Sequence, residues 1–175
     1  MTNQKFSFTD ESITINDWRY GEIILHRIKA ETDIPRFNIK EGDLGGFIHL
    51  EKNLEVFGDA WVSGDAEVFG NAEVFGNAKV FGDAEVFGDA KVFGDAEVSG
   101  DAEVSKTKDY LVIGPVGNNR FITFTFSDQK VVAGCFRGTL IELKQRVEQK
   151  YGDTSDYYET IKYISILVES RGKTI

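Results

Sequence analysis

Apolar residues recur every six positions through the middle of the chain. Valine occupies positions 56, 62, 68, 74, 80, 86, 92, 98 and 104, and alanine follows four residues after each valine from Ala60 to Ala102. Leu44 and Leu50 continue the valine register upstream, while Ile48 and Leu54 continue the alanine register. A period this short predicts a coil of chain that stacks on itself.

Each six-residue unit predicts a short strand followed by a corner. The run Ala-(Glu/Lys)-Val-Phe alternates between inward and outward positions, and the following Gly-(Asp/Asn) pair can adopt turn conformations that most residues avoid. Three such sides close a triangular coil of eighteen residues, and eleven units predict about three and a half coils. Neighbouring coils are then ~4.8 Å apart, the usual strand spacing.

The internal copies of the repeat indicate which residue of each Val-Phe pair is buried. Valine never varies across the nine units, whereas the Phe position becomes Ser at 63, 99 and 105. A narrow, densely packed interior would not accept Phe and Ser interchangeably. We therefore expect valine and alanine to point inwards and phenylalanine to point outwards.

Outward residues that lie eighteen positions apart share a face of the coil, and this grouping predicts three different faces. The acidic face carries Glu67, Glu85 and Glu103 with Phe69 and Phe87, a second face carries Trp61, Lys79, Phe81 and Glu97, and a third face carries Phe57, Phe75 and Phe93. Like charges on neighbouring strands are mildly destabilising, so the glutamate column is either a solvated face or a binding surface. The third face is either an interface for a dimer or trimer, together with Phe81, or a stabilising ladder that the C-terminal region covers.

The repeat resembles the hexapeptide-repeat, left-handed parallel β-helix family, with "VFGDAEVFGDAK" as the matching motif in residues 44–105. The left-handed sense is implied by the resemblance alone, since parallel crossovers are otherwise right-handed in ~98% of cases. "LHRIKAETDI", "EGDLGGFI" and "GCFRGTL" are similar to segments of phage and prophage hexapeptide-repeat proteins that are often labelled putative transferases.

The segments on either side of the repeat predict caps for its open strand edges. Residues 1–43 predict an N-terminal β cap, with strands in "SITI" and "EIILHRI" joined by the turn "NDWRYG". Residues 106–175 predict a small α+β domain: a hairpin about Gly117-Asn118-Asn119, a strand in "KVVAGCF" and two helices. Thr139 and Glu142 form the first helix's capping box, Leu140, Leu143, Val147 and Tyr151 its apolar face, and Gly152 its end. Ser155 caps the second helix, whose apolar members are Tyr158, Ile161, Ile164 and Val168.

The charge is distributed unevenly along the chain. The net charge is −9, but residues 41–105 hold 15 acidic and 3 basic side chains, and residues 106–175 hold 8 and 11. A direct nucleic-acid binder would need the opposite sign on its long surface, so the acidic middle indicates either basic protein partners or a charge that only keeps the protein soluble. One cysteine, no apolar run of membrane-spanning length and no secretion signal favour a cytoplasmic protein, in the host cell if it is phage-encoded.

The sequence predicts no catalytic residue, metal site or cofactor. Many hexapeptide-repeat enzymes are acyltransferases with a histidine base, but His26 falls in the cap and His49 at an outward position of an early unit. One Cys and two distant His lack zinc spacing, the glycines lack phosphate-loop spacing, and the corner Asp residues are explained by turn formation. Cys135 is expected to be a small core thiol.

The lead hypothesis is a non-catalytic, acidic binding protein, an accessory or anti-defence inhibitor that blocks a basic, nucleic-acid-binding groove of a host protein. Its partner-binding residues would be Glu67, Glu85, Glu103, Phe69 and Phe87. One alternative is an acyltransferase-like enzyme. Another is an oligomeric sponge for a small anionic ligand, held where C-terminal domains meet by Tyr110, Arg120 and Arg137.

Overall fold

A β-solenoid of about three turns follows an antiparallel N-terminal sheet in the first of two units of the chain. The structure is a computed structural model and describes residues 5–117 and 120–172. Strands β1 (Phe6–Asp17) and β2 (Gly21–Ala30) form a hairpin, and β2 pairs antiparallel with β3 (Leu44–Ile48). The two units comprise Met1–Thr107 and Lys108–Ile175.

Eight two-residue strands build the remaining sides of the solenoid. They are β4 (Trp61–Val62), β5 (Glu67–Val68), β6 (Glu73–Val74), β7 (Lys79–Val80), β8 (Glu85–Val86), β9 (Lys91–Val92), β10 (Glu97–Val98) and β11 (Glu103–Val104). Parallel pairing joins β3-β5-β8-β11 on the acidic face, β4-β7-β10 on the second face and β6-β9 on the third face. From Val62 onwards the predicted coil of eighteen residues is confirmed, since Val62 pairs with Val80.

The interior of the solenoid contains the predicted valines and alanines. Every Val from Val62 to Val104 and every Ala from Ala60 to Ala102 in the repeat has no exposed surface. Complete burial of one valine contributes roughly 1.5–3 kcal/mol. At the corners, glycine is required because the φ of Gly82 is +76° and an added Cβ would lie 3.0 Å from the Gly100 nitrogen.

The first coil departs from the predicted register by two residues. Ile48 pairs with Val68 and Leu54 with Val74, a separation of 20 residues instead of 18. Ile48 and Leu54 are buried, but in valine positions and not in the alanine positions predicted for them. The residues predicted for the valine positions are exposed by 56% at Leu44, 40% at Leu50 and 41% at Val56. The prediction that these three continue the valine column is therefore wrong.

Two polar side chains hold this irregular first coil. The buried Asn53 donates from Nδ2 to the carbonyls of Ala72 (2.7 Å) and Gly70 (3.3 Å), and its Oδ1 accepts from the Leu50 N–H. Lys5 Nζ donates to the carbonyls of Glu55 (2.8 Å) and Gly58 (3.3 Å) in the segment that contains the two extra residues. Burial lowers the pKa of Lys5 to about 8, although Glu55 and Asp59 oppose this shift.

The second unit contains an antiparallel sheet and two helices. Its elements are β12 (Tyr110–Val116), β13 (Arg120–Thr125), β14 (Lys130–Ala133), β15 (Phe136–Thr139), α1 (Leu140–Tyr151) and α2 (Asp156–Ser170), with the strands in sequential order. Of the predicted hairpin turn, Asn118 and Asn119 lie outside the described residues. The single strand predicted in "KVVAGCF" is wrong, because Gly134, with φ +63°, turns the chain between β14 and β15.

The helix caps are confirmed. Thr139 Oγ1 accepts from the Glu142 N–H, Glu142 Oε2 accepts from the Thr139 N–H at 2.7 Å, and Ser155 Oγ accepts from the Tyr158 N–H. Gly152, with φ +81°, follows α1 as its C-cap.

The predicted apolar helix faces are confirmed with two exceptions. Leu140, Leu143, Val147, Ile161, Ile164 and Val168 pack in one core. Tyr151 is 49% exposed, and Tyr157 takes the buried place predicted for Tyr158, which is only partly buried. Cys135 is exposed and is not the predicted core thiol.

Two valine substitutions test the observed register. We expect Val80→Ala to lower the free energy of unfolding by about 2 kcal/mol, because it leaves a cavity in the solenoid interior. Val56→Ala removes the same atoms from an exposed position and should lower it by less than about 1 kcal/mol. Urea denaturation measures both values, and equal losses would contradict the shifted first coil.

Candidate functional site

The glutamate column lies on the acidic face as predicted. Glu67 pairs in register with Glu85, and Glu85 with Glu103, so the three side chains follow one another at the strand spacing of ~4.8 Å. Phe47 of β3 pairs with Glu67 and takes the corresponding outward position in the first coil. The column thus begins with an aromatic ring and continues with three carboxyl groups.

Burial and mutual repulsion alter two of these carboxyl groups. Burial raises the pKa of Glu67, and the charge of Glu85 adds to the shift. Burial also raises the pKa of Glu85, where Glu103 and Asp17 add to the shift and Arg19 opposes it. Glu103, in contrast, is exposed.

Phe69 and Phe87 point outwards but are covered by the chain's own N-terminal hairpin. They are only 2% and 7% exposed and form a cluster with Phe47, Ile23 and Leu25, against which Ile13 and Ile15 also pack. The two rings stack with centroids 5.3 Å apart. The prediction that they contact a partner is incompatible with this burial, because β1 and β2 already occupy the surface.

Arg19, in the hairpin turn, reaches the acidic face. Its guanidinium carbon lies 4.1 Å from the Phe87 ring centroid, and Nη2 forms a 2.7 Å ion pair with Asp17. Asp17 Oδ1 also accepts from the Arg19 N–H at 2.8 Å, which fixes the turn. The hairpin therefore places the Arg19–Asp17 ion pair beside Glu85.

A second carboxylate column, missed by the sequence analysis, runs along the corner beside the glutamates. Asp65, Asp83 and Asp101 each precede an acidic-face strand by two residues and are exposed. Arg27 Nη2 contacts Asp65 at 3.2 Å, so this first member is partly neutralised. The signal for this column in the sequence is the spacing of its three aspartates, which lie eighteen residues apart.

The predicted self-association residues do not form one ladder. Phe75 and Phe93 stack with centroids 5.2 Å apart, but Phe57 lies in the segment with the two extra residues and is 76% exposed. Phe81 is partly buried on the second face, where the Lys79 ammonium lies 5.3 Å from its ring and 5.1 Å from the Phe37 ring. The predicted ladder of three is therefore a stacked pair with a separate third ring.

An open groove of about 620 Å³ lies on the third face of the solenoid. Its lining includes Val56, Phe57 and Phe75, with Glu73 beside them. Lys91 Nζ forms a 3.2 Å ion pair with Glu73, so this face carries both charge signs.

The predicted ligand residues Tyr110, Arg120 and Arg137 are not brought together. Tyr110 begins β12 and is 8% exposed, while Arg137 lies on β15. Arg120 lines two pockets of its own unit, and neither Tyr110 nor Arg137 is among the residues that line them.

The histidines lie in separate surroundings. The His26 ring packs 5.2 Å from the Phe8 ring, and the His49 Nδ1 atom is buried without a hydrogen-bond partner among the described residues. Burial lowers the pKa of His49, and Lys52 and His26 act in the same direction. Residues 5–117 and 120–172 contain no cluster of side chains suited to a metal ion, and none of their helices is long and apolar enough to cross a membrane.

No family model matches the chain, and no curated protein matches it.

Replacing Glu67 and Glu85 together by glutamine should change how stability depends on pH. Because their folded pKa values are raised, the folded chain holds more protons above about pH 4.5, and stability falls as pH rises through the folded values. In the variant, we expect the free energy of unfolding to decrease less as the pH rises. The variant should therefore be more stable than the native sequence near pH 7. Thermal unfolding at several pH values measures this, with Glu41→Gln/Glu51→Gln as an exposed control pair, and identical pH profiles for both pairs would contradict it.

Proposed function

We propose that the protein is a non-catalytic binding protein whose acidic side blocks a basic, nucleic-acid-binding surface of another protein. The observation that carries the proposal is the pair of parallel carboxylate columns, Asp65-Asp83-Asp101 and Glu67-Glu85-Glu103. Stability alone would favour alternating signs along such columns, since like charges on neighbouring strands are destabilising.

The density of charge on this side approaches that of a nucleic acid. Each solenoid turn advances ~4.8 Å and adds one Asp and one Glu, which gives about one carboxyl group per 2.4 Å of axis. Double-stranded DNA carries one charge per ~1.7 Å of its axis. A groove lined with Lys and Arg for a phosphate backbone would therefore attract this surface as well.

The part of the surface open to a partner is narrower than the sequence suggested. Phe69 and Phe87 are covered, Arg27 pairs with Asp65, and the Arg19–Asp17 ion pair lies beside Glu85. Asp83, Asp101 and Glu103 are exposed and lie towards the C-terminal end of the solenoid. We assign the partner contact to these three residues, with Glu67 and Glu85 strengthening the negative field.

The biological setting of the proposal comes from the sequence resemblance. We take from the resemblance of the repeat to phage and prophage hexapeptide-repeat proteins the proposal of a left-handed solenoid with an accessory or anti-defence role in the cytoplasm of a host cell. In that setting the partner is a host protein that binds nucleic acid.

We further propose that the third face joins copies of the chain in a dimer or trimer. The exposed Phe57 and the stacked Phe75-Phe93 pair supply an apolar centre, and the Glu73–Lys91 ion pair supplies both charge signs at its edge. A two-fold interface needs such a self-complementary patch.

Neutralising the exposed carboxyl groups tests the partner contact. Proteins captured from host-cell extract by the immobilised chain should be released by duplex DNA. With a captured partner, Asp83→Asn/Asp101→Asn/Glu103→Gln should weaken binding roughly tenfold at low salt and reduce its salt dependence.

The matched control removes three exposed carboxyl groups from the other unit: Glu148→Gln/Asp153→Asn/Glu169→Gln. It has the same net charge and should bind as the native sequence does. Equal affinities for the two triple variants, or capture that DNA does not compete with, would overturn the proposal.

Light scattering of Phe57→Asp tests the self-association. We expect the native chain to be an oligomer and Phe57→Asp to be a monomer, because Phe57 is 76% exposed and its replacement leaves the solenoid interior intact. Trp18→Asp, at an 88% exposed ring in the hairpin turn, should leave the oligomer unchanged. A monomeric native chain, or a Phe57 variant of unchanged mass, would exclude the interface.

A further inference from the structure

Two adjoining pockets lie within the C-terminal unit, between the sheet and the helices. Their volumes are about 100 and 210 Å³, and they share Arg120, Tyr151 and Tyr157 in their linings. Together they reach the lower end of the ~300–1,000 Å³ range of small-molecule sites. We refer to both together as the basic pocket.

Three cations from two elements converge on the basic pocket. Arg120 begins β13, while Arg146 and Lys150 lie four residues apart and therefore on one side of α1. Like charges at this spacing destabilise a helix slightly, so helix stability does not account for them. Within the described ranges, none of the three forms an ion pair with a carboxyl group.

The guanidinium group of Arg120 lies close to the Gly134 turn. A Cβ on Gly134, at the turn between β14 and β15, would lie 2.6 Å from Arg120 Nη1. Burial raises the pKa of Tyr157, and the positive charge of Arg120 opposes the shift. The positive end of Arg120 therefore lies near both the Gly134 turn and the Tyr157 hydroxyl group.

An aromatic wall adjoins the cations. The rings of Tyr151 and Tyr157 stack with centroids 5.6 Å apart and 11° between their planes. Tyr151 is 49% exposed, although it was expected on the buried face of α1. An exposed aromatic ring beside three cations suits a ligand with an anionic group and an organic body.

We propose that the basic pocket binds a phosphate-bearing small molecule. Arg120, Arg146 and Lys150 contribute three positive charges and Asp156 one negative charge, which leaves two to balance the −1.5 to −2 of a phosphate monoester at pH 7. The guanidinium groups supply paired donors for phosphate oxygens, and the tyrosine wall contacts the organic part. The pocket belongs to the C-terminal unit and takes a ligand of the opposite charge to the proposed partner, so it is independent of the proposed function.

Cys135 offers a direct readout of occupancy, because it is exposed, lines the basic pocket and is the only cysteine in the chain. The experiment measures the rate at which a thiol reagent modifies Cys135 in the full-length chain with added adenosine monophosphate, inorganic phosphate or adenosine. We expect saturable protection by adenosine monophosphate, weaker protection by phosphate and none by adenosine, with salt reducing the protection. No protection by either phosphate compound, or equal protection by adenosine, would overturn the proposal.

Variants on α1 identify the site of binding. Arg146→Gln and Lys150→Gln should each weaken adenosine monophosphate binding roughly tenfold by calorimetry, since each removes a charged donor. Lys144→Gln removes one charge from the same helix outside the pocket lining and should bind normally. All three residues are exposed, so the variants should keep the native circular dichroism spectrum. Unchanged affinity in Arg146→Gln and Lys150→Gln, or an equal loss in Lys144→Gln, would exclude this pocket.

Discussion

Hydrogen bonds between successive coils are the constraint on which the solenoid and its surface depend. The N–H groups of Ser63, Phe69, Phe75 and Phe81 donate to the carbonyls of the valines seventeen residues later, at 2.9–3.0 Å on all three sides. A two-residue strand has little intrinsic stability, so these bonds persist only because valine and alanine fill the interior behind them. One residue of slippage would move every valine to the surface.

The stacking of coils also determines which side chains lie next to one another on the surface. When residues eighteen positions apart are stacked, any preference repeated in the sequence becomes a column, which is how scattered Asp and Glu residues become a continuous acidic side. The N-terminal hairpin then divides that side into two parts. It covers Phe69 and Phe87 and brings Arg19 to Glu85, while Asp83, Asp101 and Glu103 remain exposed.

The solenoid could be predicted from the sequence because valine recurs at the same six-residue spacing nine times. The helix caps could be predicted because each cap depends on residues that are close in sequence. The sequence could not predict the first coil, where Ile48 and Leu54 take the valine positions that the repeat assigns to Leu50 and Val56. That choice depends on Asn53 and Lys5, whose partners are distant in sequence. The burial of Phe69 and Phe87 could not be predicted either, because the hairpin that covers them is distant in sequence. Arg146 and Lys150 were missed because periodicity alone does not indicate which helix residues surround a pocket.

Amide hydrogen exchange followed residue by residue by NMR tests the stacking of coils most directly. The account predicts that the amides of Ser63, Phe69, Phe75 and Phe81, which represent all three sides, exchange only on unfolding of the whole solenoid and so share one free energy of opening. The Leu44 amide, outside the interior register, should exchange much faster. Rapid or unequal exchange among the four amides would contradict a solenoid with an eighteen-residue turn and remove the basis of the acidic columns.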